Sequence, residues 1–286
     1  MSDTKSTADM KTHAVREFHE NRDDVDFYAE EIRNIGFTVV ESGFSADELQ
    51  LMREKIDAIY EQQEREIGGA DVLKRLNDAD LARCLVGYDD YFLALAAHPL
   101  VVAVTRRLLG ENFILMAQNA IINRPSDEHY QVTWHRDLNY QHYVSTRPLG
   151  FSALYAIDDF TEETGGTWVI PATHKSEPFP SPEYVRRHRR QISAPAGSIL
   201  LLDPMLYHRA GVNRSGRLRR SVNHIYTVAM IKQQISLPAM LRGKHSDDPF
   251  LRMLLAYDTE TAESVQQWRT RKMAQAEFFA GLAETR

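Results

Sequence analysis

The chain has 286 residues, 43% of them hydrophobic and 26% charged, with a formal net charge of −6, the make-up of a globular protein long enough to bury a sizeable core. That balance offers no basic field for nucleic acid, and no stretch reaches the ~18 apolar residues of a membrane span. A single cysteine, Cys84, excludes an internal disulfide framework and cysteine-rich metal clusters. A polar N-terminus without an apolar signal segment makes a cytoplasmic location the expectation.

Residues 1–23 read as a mobile leader that turns helical toward Val25–Ile32, followed by a short β-branched strand at Gly36–Val40. Ser45 and Glu48 form a capping-box pattern ahead of Leu49, Met52, Ile56 and Ile59 at helical spacing. Residues 71–97 keep helical periodicity without strong caps, and His98-Pro99 opens a helix that Gly110 can end. From Asn112 the pattern changes to short alternating or apolar runs between turn residues: Phe113–Asn123, Gly150–Ile157, Thr167–Ile170, Ser198–Leu202, Leu206–Ala210 and Arg219–Ile231. Helix returns after about Leu237, with Thr259 as the expected cap of a segment reaching roughly Ala280. The expected fold is mainly β with flanking helices, around a jelly-roll core (a double-stranded, cupin-like β-helix). It is read as one domain over 24–286, with a helical part at 24–111, the β-core at 112–232 and a second helical part at 237–286.

His135 and Asp137 stand two apart, so on extended chain both side chains project to one side and can grip one ion. His208 comes 73 residues later, and a jelly roll can bring its strand across from the first pair. Two imidazoles and a carboxylate suit one face of Fe(II), leaving the opposite face open. Among 11 histidines, however, a lone His-x-Asp is as readily structural. Its context adds Arg219, placed after an Asn-Arg-Ser-Gly turn, where a guanidinium fork at the start of a strand could take a carboxylate bidentately. His174 is a rival ligand but sits in a Pro-Ala-Thr turn, and Arg217 is a rival cation but sits in the turn itself. Three readings follow from the residues: an iron oxygenase, a β-sandwich that binds a metal or ligand without turnover, and a cupin-type dioxygenase using no 2-oxoglutarate, in which Arg219 would have no purpose.

Four ordered blocks, Trp134-His135-Arg136-Asp137, the run Ile157–Pro171, Ala196–Leu200 and His208–Arg219, resemble the phytanoyl-CoA dioxygenase family of Fe(II)- and 2-oxoglutarate-dependent oxygenases. The resemblance spans roughly Gly36 to Thr227. It implies His135, Asp137 and His208 as iron ligands, Arg219 as the partner of the distal 2-oxoglutarate carboxylate, and Gln118 as a second cosubstrate contact. It also implies O2 as cosubstrate, succinate and CO2 as products, and hydroxylation of an unactivated carbon in a small molecule. The chain departs from the family at Ala172-Thr173, where Gly-Ser is usual, and at Arg136, where a Gln or other polar residue is usual. Arg136 can serve structurally or meet an anionic substrate. Asp137 in place of a small residue speaks against halogenation. Tyr140, His142 and Tyr143 follow the metal motif and either line the substrate pocket or pack. Asn223 shares strand parity with Arg219 and faces inward, whereas His224 faces outward. Trp134 and Trp168 read as core residues that keep the site dry. The basic run Arg186–Arg190 reads as a solvated face or as a lure for anionic substrates. The sequence fixes neither the substrate nor the oligomeric state.

Overall fold

A computed structural model of the chain describes residues 12–125, 130–138 and 142–284. Of the expected leader, residues 1–11 lie outside that range. Residues 12–22 are exposed and mostly without regular structure, up to the point where the Asp23 carboxylate accepts the Asp26 N–H and starts α1 (Asp24–Ile35). Gly36, in the left-handed region, closes that helix and leads into β1 (Phe37–Glu41). The capping box forms as expected, with the Ser45 hydroxyl and the Glu48 carboxylate each accepting the other's backbone N–H. It opens α2 (Ala46–Ile67), which buries Leu49, Met52, Ile56, Ile59 and Tyr60.

Between residues 71 and 97 the expected helical run is broken. The chain forms α3 (Ala70–Arg75), a three-residue strand β2 (Leu81–Arg83), a 3₁₀ turn and α4 (Tyr91–Ala96). Asp80 and Cys84, both at positive φ, bracket β2, so the strand is too short to register as a period. The elements that follow are α5 (Pro99–Leu109), β3 (Phe113–Asn123), β4 (Gly150–Ala156), β5 (Trp168–Val169), α6 (Pro182–His188) and β6 (Arg190–Gln191). They continue with β7 (Ser198–Leu202), β8 (His208–Arg209), β9 (Arg219–Val228), α7 (Leu237–Leu241), α8 (Pro249–Leu254) and α9 (Val265–Glu284). Ser264 rather than Thr259 caps α9, its hydroxyl accepting the Gln267 N–H, while the Thr259 hydroxyl donates back to Ala256 C=O. No helix among the described residues is long and apolar enough to cross a membrane.

The strands form two antiparallel sheets, a large one in the order β1-β7-β4-β9-β3-β2 and a small one in the order β6-β5-β8. They are the two layers of a jelly roll that does not close into a barrel. The large sheet is buried on both faces. Ile199 and Leu201 of β7, with Phe151, Ala153 and Tyr155 of β4, meet the helices in the main core, while Leu200, Leu202, Leu154 and Ala156 face the small sheet in a second core. This two-sided burial explains why β4 and β7 read as apolar runs rather than clean alternation. Side chains from α2, α5, α7 and α8 join the same main core.

The segments flanking the three strands of the small sheet close on one another at the Gly165-Gly166 turn. A Cβ on Gly165, at φ +77°, would lie 2.3 Å from Gly211 O, and one on Gly166 would lie 2.3 Å from Ile192 O. Backbone fills both spaces, so neither neighbour can rotate away. Gly165→Ala is expected to cost about 2 kcal/mol or more, read as a lowered urea midpoint at unchanged slope. An unaltered midpoint would show that this close approach does not constrain the small sheet.

Candidate metal centre

Two backbone hydrogen bonds build the centre. His135 N–H donates to His208 C=O at 3.0 Å and His208 N–H donates to His135 C=O at 3.1 Å, an antiparallel bridge that sets the two imidazoles 4.5 Å apart. Two residues on, Asp137 N–H donates to Pro204 C=O at 2.9 Å, so Asp137 stays on the same extended track as His135. One ligand atom from each of His135, Asp137 and His208 then lies within 4.8 Å of the others. Asp137 Oδ1 is 3.3 Å from His208 Nε2 and 3.8 Å from His135 Nε2.

The surrounding groups aim these three side chains. His135 Nδ1 is 2.8 Å from Thr133 C=O and His208 Nδ1 is 2.9 Å from Leu206 C=O. Each Nδ1 therefore carries a proton, so that in the neutral ring Nε2 is the atom left to accept, the state a metal requires. Asp137 Oδ2 accepts from the Ser152 hydroxyl and from the Asn223 amide, both at 3.2 Å. Burial alone would raise the Asp137 carboxyl, but His208, His135 and the hydrogen bonds outweigh it and hold the group at about 2. Burial, helped by His208, pushes His135 down to about 4 against the pull of Asp137. His208 is drawn down by burial yet raised overall by its contact with Asp137. At neutral pH His135 is thus an uncharged imidazole beside an ionised carboxylate.

Arg219 starts β9 and is 1% exposed, with its guanidinium carbon 4.5 Å from the centre of the Phe160 ring. Among the described residues its only side-chain contact of hydrogen-bond type is a long one, 3.5 Å from Nη1 to the Ser221 hydroxyl, and its buried Nε and Nη2 have no partner. It lines one cavity together with His208, Asp137, Asn223, Thr167 and Ser221. Burial lowers the guanidinium to about 10, with Asp158 opposing, so it keeps its charge.

The remaining candidates fall in several places. Asn223 faces the centre, as its parity with Arg219 requires. His224 points to the opposite face, but that face is covered by helices, so the ring is completely buried rather than outward in solvent. Gln118 also points there and not toward the centre: its amide accepts the Val86 N–H, donates to Phe92 C=O and lies 2.7 Å from His224 Nε2. The expectation of a cosubstrate contact is corrected accordingly, since a one-residue offset on a strand reverses its face. Its neighbour Asn119 faces the cavity beside the triad. Arg136 is 2% exposed and its guanidinium donates to the carbonyls of Met205, Thr173, Ser176 and Glu177, lying 3.9 Å from the Tyr207 ring centre. The geometry gives it the structural role of tying the ligand segment to the loop before His208. His142 and Tyr143 are exposed, and Tyr140 lies outside the described residues. His174 is buried away from the triad with Nε2 3.1 Å from Arg33 C=O. Trp134 and Trp168 are half-buried and stack with arginines, Arg209 against both and Arg189 against Trp168. Ser152, Thr167 and Ser221 went unnoticed in the sequence. Ser221 shares the parity of Arg219 and Asn223, and Ser152 is the one hydroxyl in an otherwise apolar run before Tyr155, so both left a signal.

A jelly roll that gathers two imidazoles and a carboxylate beside a buried, unpaired guanidinium has the form of a non-haem iron oxygenase. Residues 32–221 match the Phytanoyl-CoA dioxygenase (PhyH) family, and the chain belongs to it. It is accordingly an iron- and 2-oxoglutarate-dependent dioxygenase, with O2 as the second cosubstrate. An uncharacterized protein of Mycobacterium tuberculosis is 31% identical over 222 residues, covering 76% of this chain and 80% of that one. The dioxygenase trt7 of Aspergillus terreus is 26% identical over 257 residues, covering 85% and 83%. Among solved structures, EctD from S. alaskensis with 2-oxoglutarate and 5-hydroxyectoine shares the fold at a TM-score of 0.59 and 21% identity, over 71% of this chain and 75% of that one. The epimerase SnoN in complex with Fe3+, alpha ketoglutarate and nogalamycin RO does so at 0.57 and 19%, over 72% and 84%.

Arg136→Met keeps the stem but takes a donor from four carbonyls, of which Thr173 keeps the Ser176 N–H and Glu177 the Tyr207 hydroxyl. The variant is expected to lose about 3 kcal/mol of stability and to bind Fe(II) more weakly, measured by denaturation and by metal titration. A variant as stable as the parent would remove the clamp from the account.

Proposed function

We propose that His135 and His208 through Nε2, and Asp137 through a carboxylate oxygen, hold Fe(II), and that Arg219 pairs with the distal carboxylate of 2-oxoglutarate. The overall outcome proposed is hydroxylation of an unactivated carbon in a small molecule, with release of succinate and CO2. The observation that carries this reading is Arg219. A charged guanidinium is deeply buried beside the triad with two nitrogens unpartnered among the described residues, and such a group is costly unless a ligand anion completes it. A planar donor fork fits a carboxylate bidentately.

The iron, when bound, supplies the redox chemistry that couples decarboxylation of the keto acid to oxidation of the substrate. The chain's residues bind, orient and exclude water. Thr133 and Leu206 carbonyls fix the two imidazole tautomers. Ser152 and Asn223 hold Asp137 by one oxygen, which turns the other toward the histidines. The buried Phe160 ring lies against the Arg219 guanidinium and shields it from solvent. No side-chain acid or base is needed. Residues 24–286 are taken as one domain, a reading supported by side chains of the N-terminal helices, the large sheet and α7 and α8 sharing one core. The cytoplasm is the proposed location, supported by a sole cysteine that is free and buried.

Arg219→Leu is expected to raise the apparent 2-oxoglutarate KM by roughly 100-fold, the worth of a charge-assisted bidentate pair, with Fe(II) still bound at one equivalent. Asp137→Ala is expected to lose the iron itself, followed by metal analysis after desalting. An Arg219→Leu protein with ordinary 2-oxoglutarate affinity, or an Asp137→Ala protein that keeps its iron, would overturn the assignment of that residue.

A further inference from the structure

A second cavity, of about 290 Å3, opens beside the triad, and Arg219 is not in its lining. The two cavities share Ile121, Gln131, Asp137 and Asn223, so they meet at the metal centre. The second is close to the lower end of the roughly 300–1,000 Å3 usual for small-molecule sites. Its apolar walls come from Leu81, Met116, Ile121 and Ile225, and its polar rim from Asn119 and Gln234. The Asn119 amide donates to Gln234 Oε1 at 3.1 Å, which orients the pair and points an acceptor (Asn119 Oδ1) and a donor (Gln234 Nε2) elsewhere.

The charged groups among the described lining residues are already engaged. Arg83 Nε donates to both carboxylate oxygens of Asp78, at 3.0 and 3.3 Å, and its Nη2 bonds the same group. Arg136 is committed to backbone carbonyls. His135 and Asp137 belong to the triad. The contrast with the neighbouring cavity is sharp, because there a guanidinium is left open. We infer that this cavity takes an uncharged substrate with an apolar skeleton and a hydroxyl or carbonyl group, held at its polar end by the Asn119–Gln234 amide pair. A carboxylate, an ammonium or a phosphate-bearing thioester would lose its hydration there and gain no free opposite charge from the described lining residues. The inference rests on the proposed reading of the metal centre, since it takes this cavity to be the one facing the iron.

The test is calorimetric titration, without oxygen, of the protein loaded with Fe(II) and 2-oxoglutarate, using decanol, decanoate, decylamine and decanoyl-CoA as probes on one skeleton. Decanol is expected to bind about tenfold more tightly than any charged probe, or better. Asp78→Asn, which removes the carboxylate charge from beside Arg83, is expected to strengthen decanoate binding several-fold, and Gln234→Glu to do the same for decylamine. A charged probe that matches decanol on the parent protein overturns the inference, as does the failure of all four on protein that still binds 2-oxoglutarate. Loss of 2-oxoglutarate binding itself would count instead against the reading of the metal centre.

Discussion

The site depends on one short antiparallel bridge. Because His135 and His208 exchange both backbone hydrogen bonds, two imidazoles that are 73 residues apart in the chain become cross-strand neighbours, whose separation is set by sheet geometry rather than by flexible side chains. Everything else at the centre reinforces that contact. The Asp137 N–H to Pro204 bond continues the track, and Arg136 fastens the same segment to Met205 and to the 173–177 turn. The ligands are thus placed by rigid backbone on both sides, and metal binding has little chain entropy left to overcome.

Electrostatics divides the space around this bridge. On one side a buried guanidinium waits for an anion; on the other, the arginines are neutralised or spent on carbonyls. The same residue type therefore performs three jobs within one small region. Arg219 suits the proposed role of anion receptor because two of its nitrogens have no partner among the described residues, Arg136 is a backbone clamp because four carbonyls converge on it, and Arg83 is held in an ion pair by Asp78. Function follows from the partner each guanidinium has, and chain position alone does not reveal it.

Much of the site was legible because its signals are local. The His-x-Asp spacing, the Asn-Arg-Ser-Gly turn before Arg219 and the parity of Asn223 with Arg219 all depend on an extended chain with alternating faces. The Ser45–Glu48 capping box and the strands at 113–123 and 198–202 were equally clear. Gln118 was misplaced for a physical reason. β3 is buried on both faces, so hydrophobicity gives no parity there, and a bulge between Leu115 and Ala117 shifts its register. Arg136 was ambiguous because its carbonyl partners come from segments 37 to 69 residues away. Strand β2 and the true start of α9 were hidden for lack of length or by a nearer capping residue.

The most direct test is a crystal structure of the protein grown without oxygen in the presence of Fe(II) and 2-oxoglutarate, with anomalous scattering measured at the iron edge. The account predicts one iron peak touching His135 Nε2, His208 Nε2 and an Asp137 oxygen, with the far carboxylate of the keto acid on Arg219 Nε and Nη2. Iron at any other set of ligands, or that carboxylate paired with a different cation while Arg219 stays unpartnered, would contradict it.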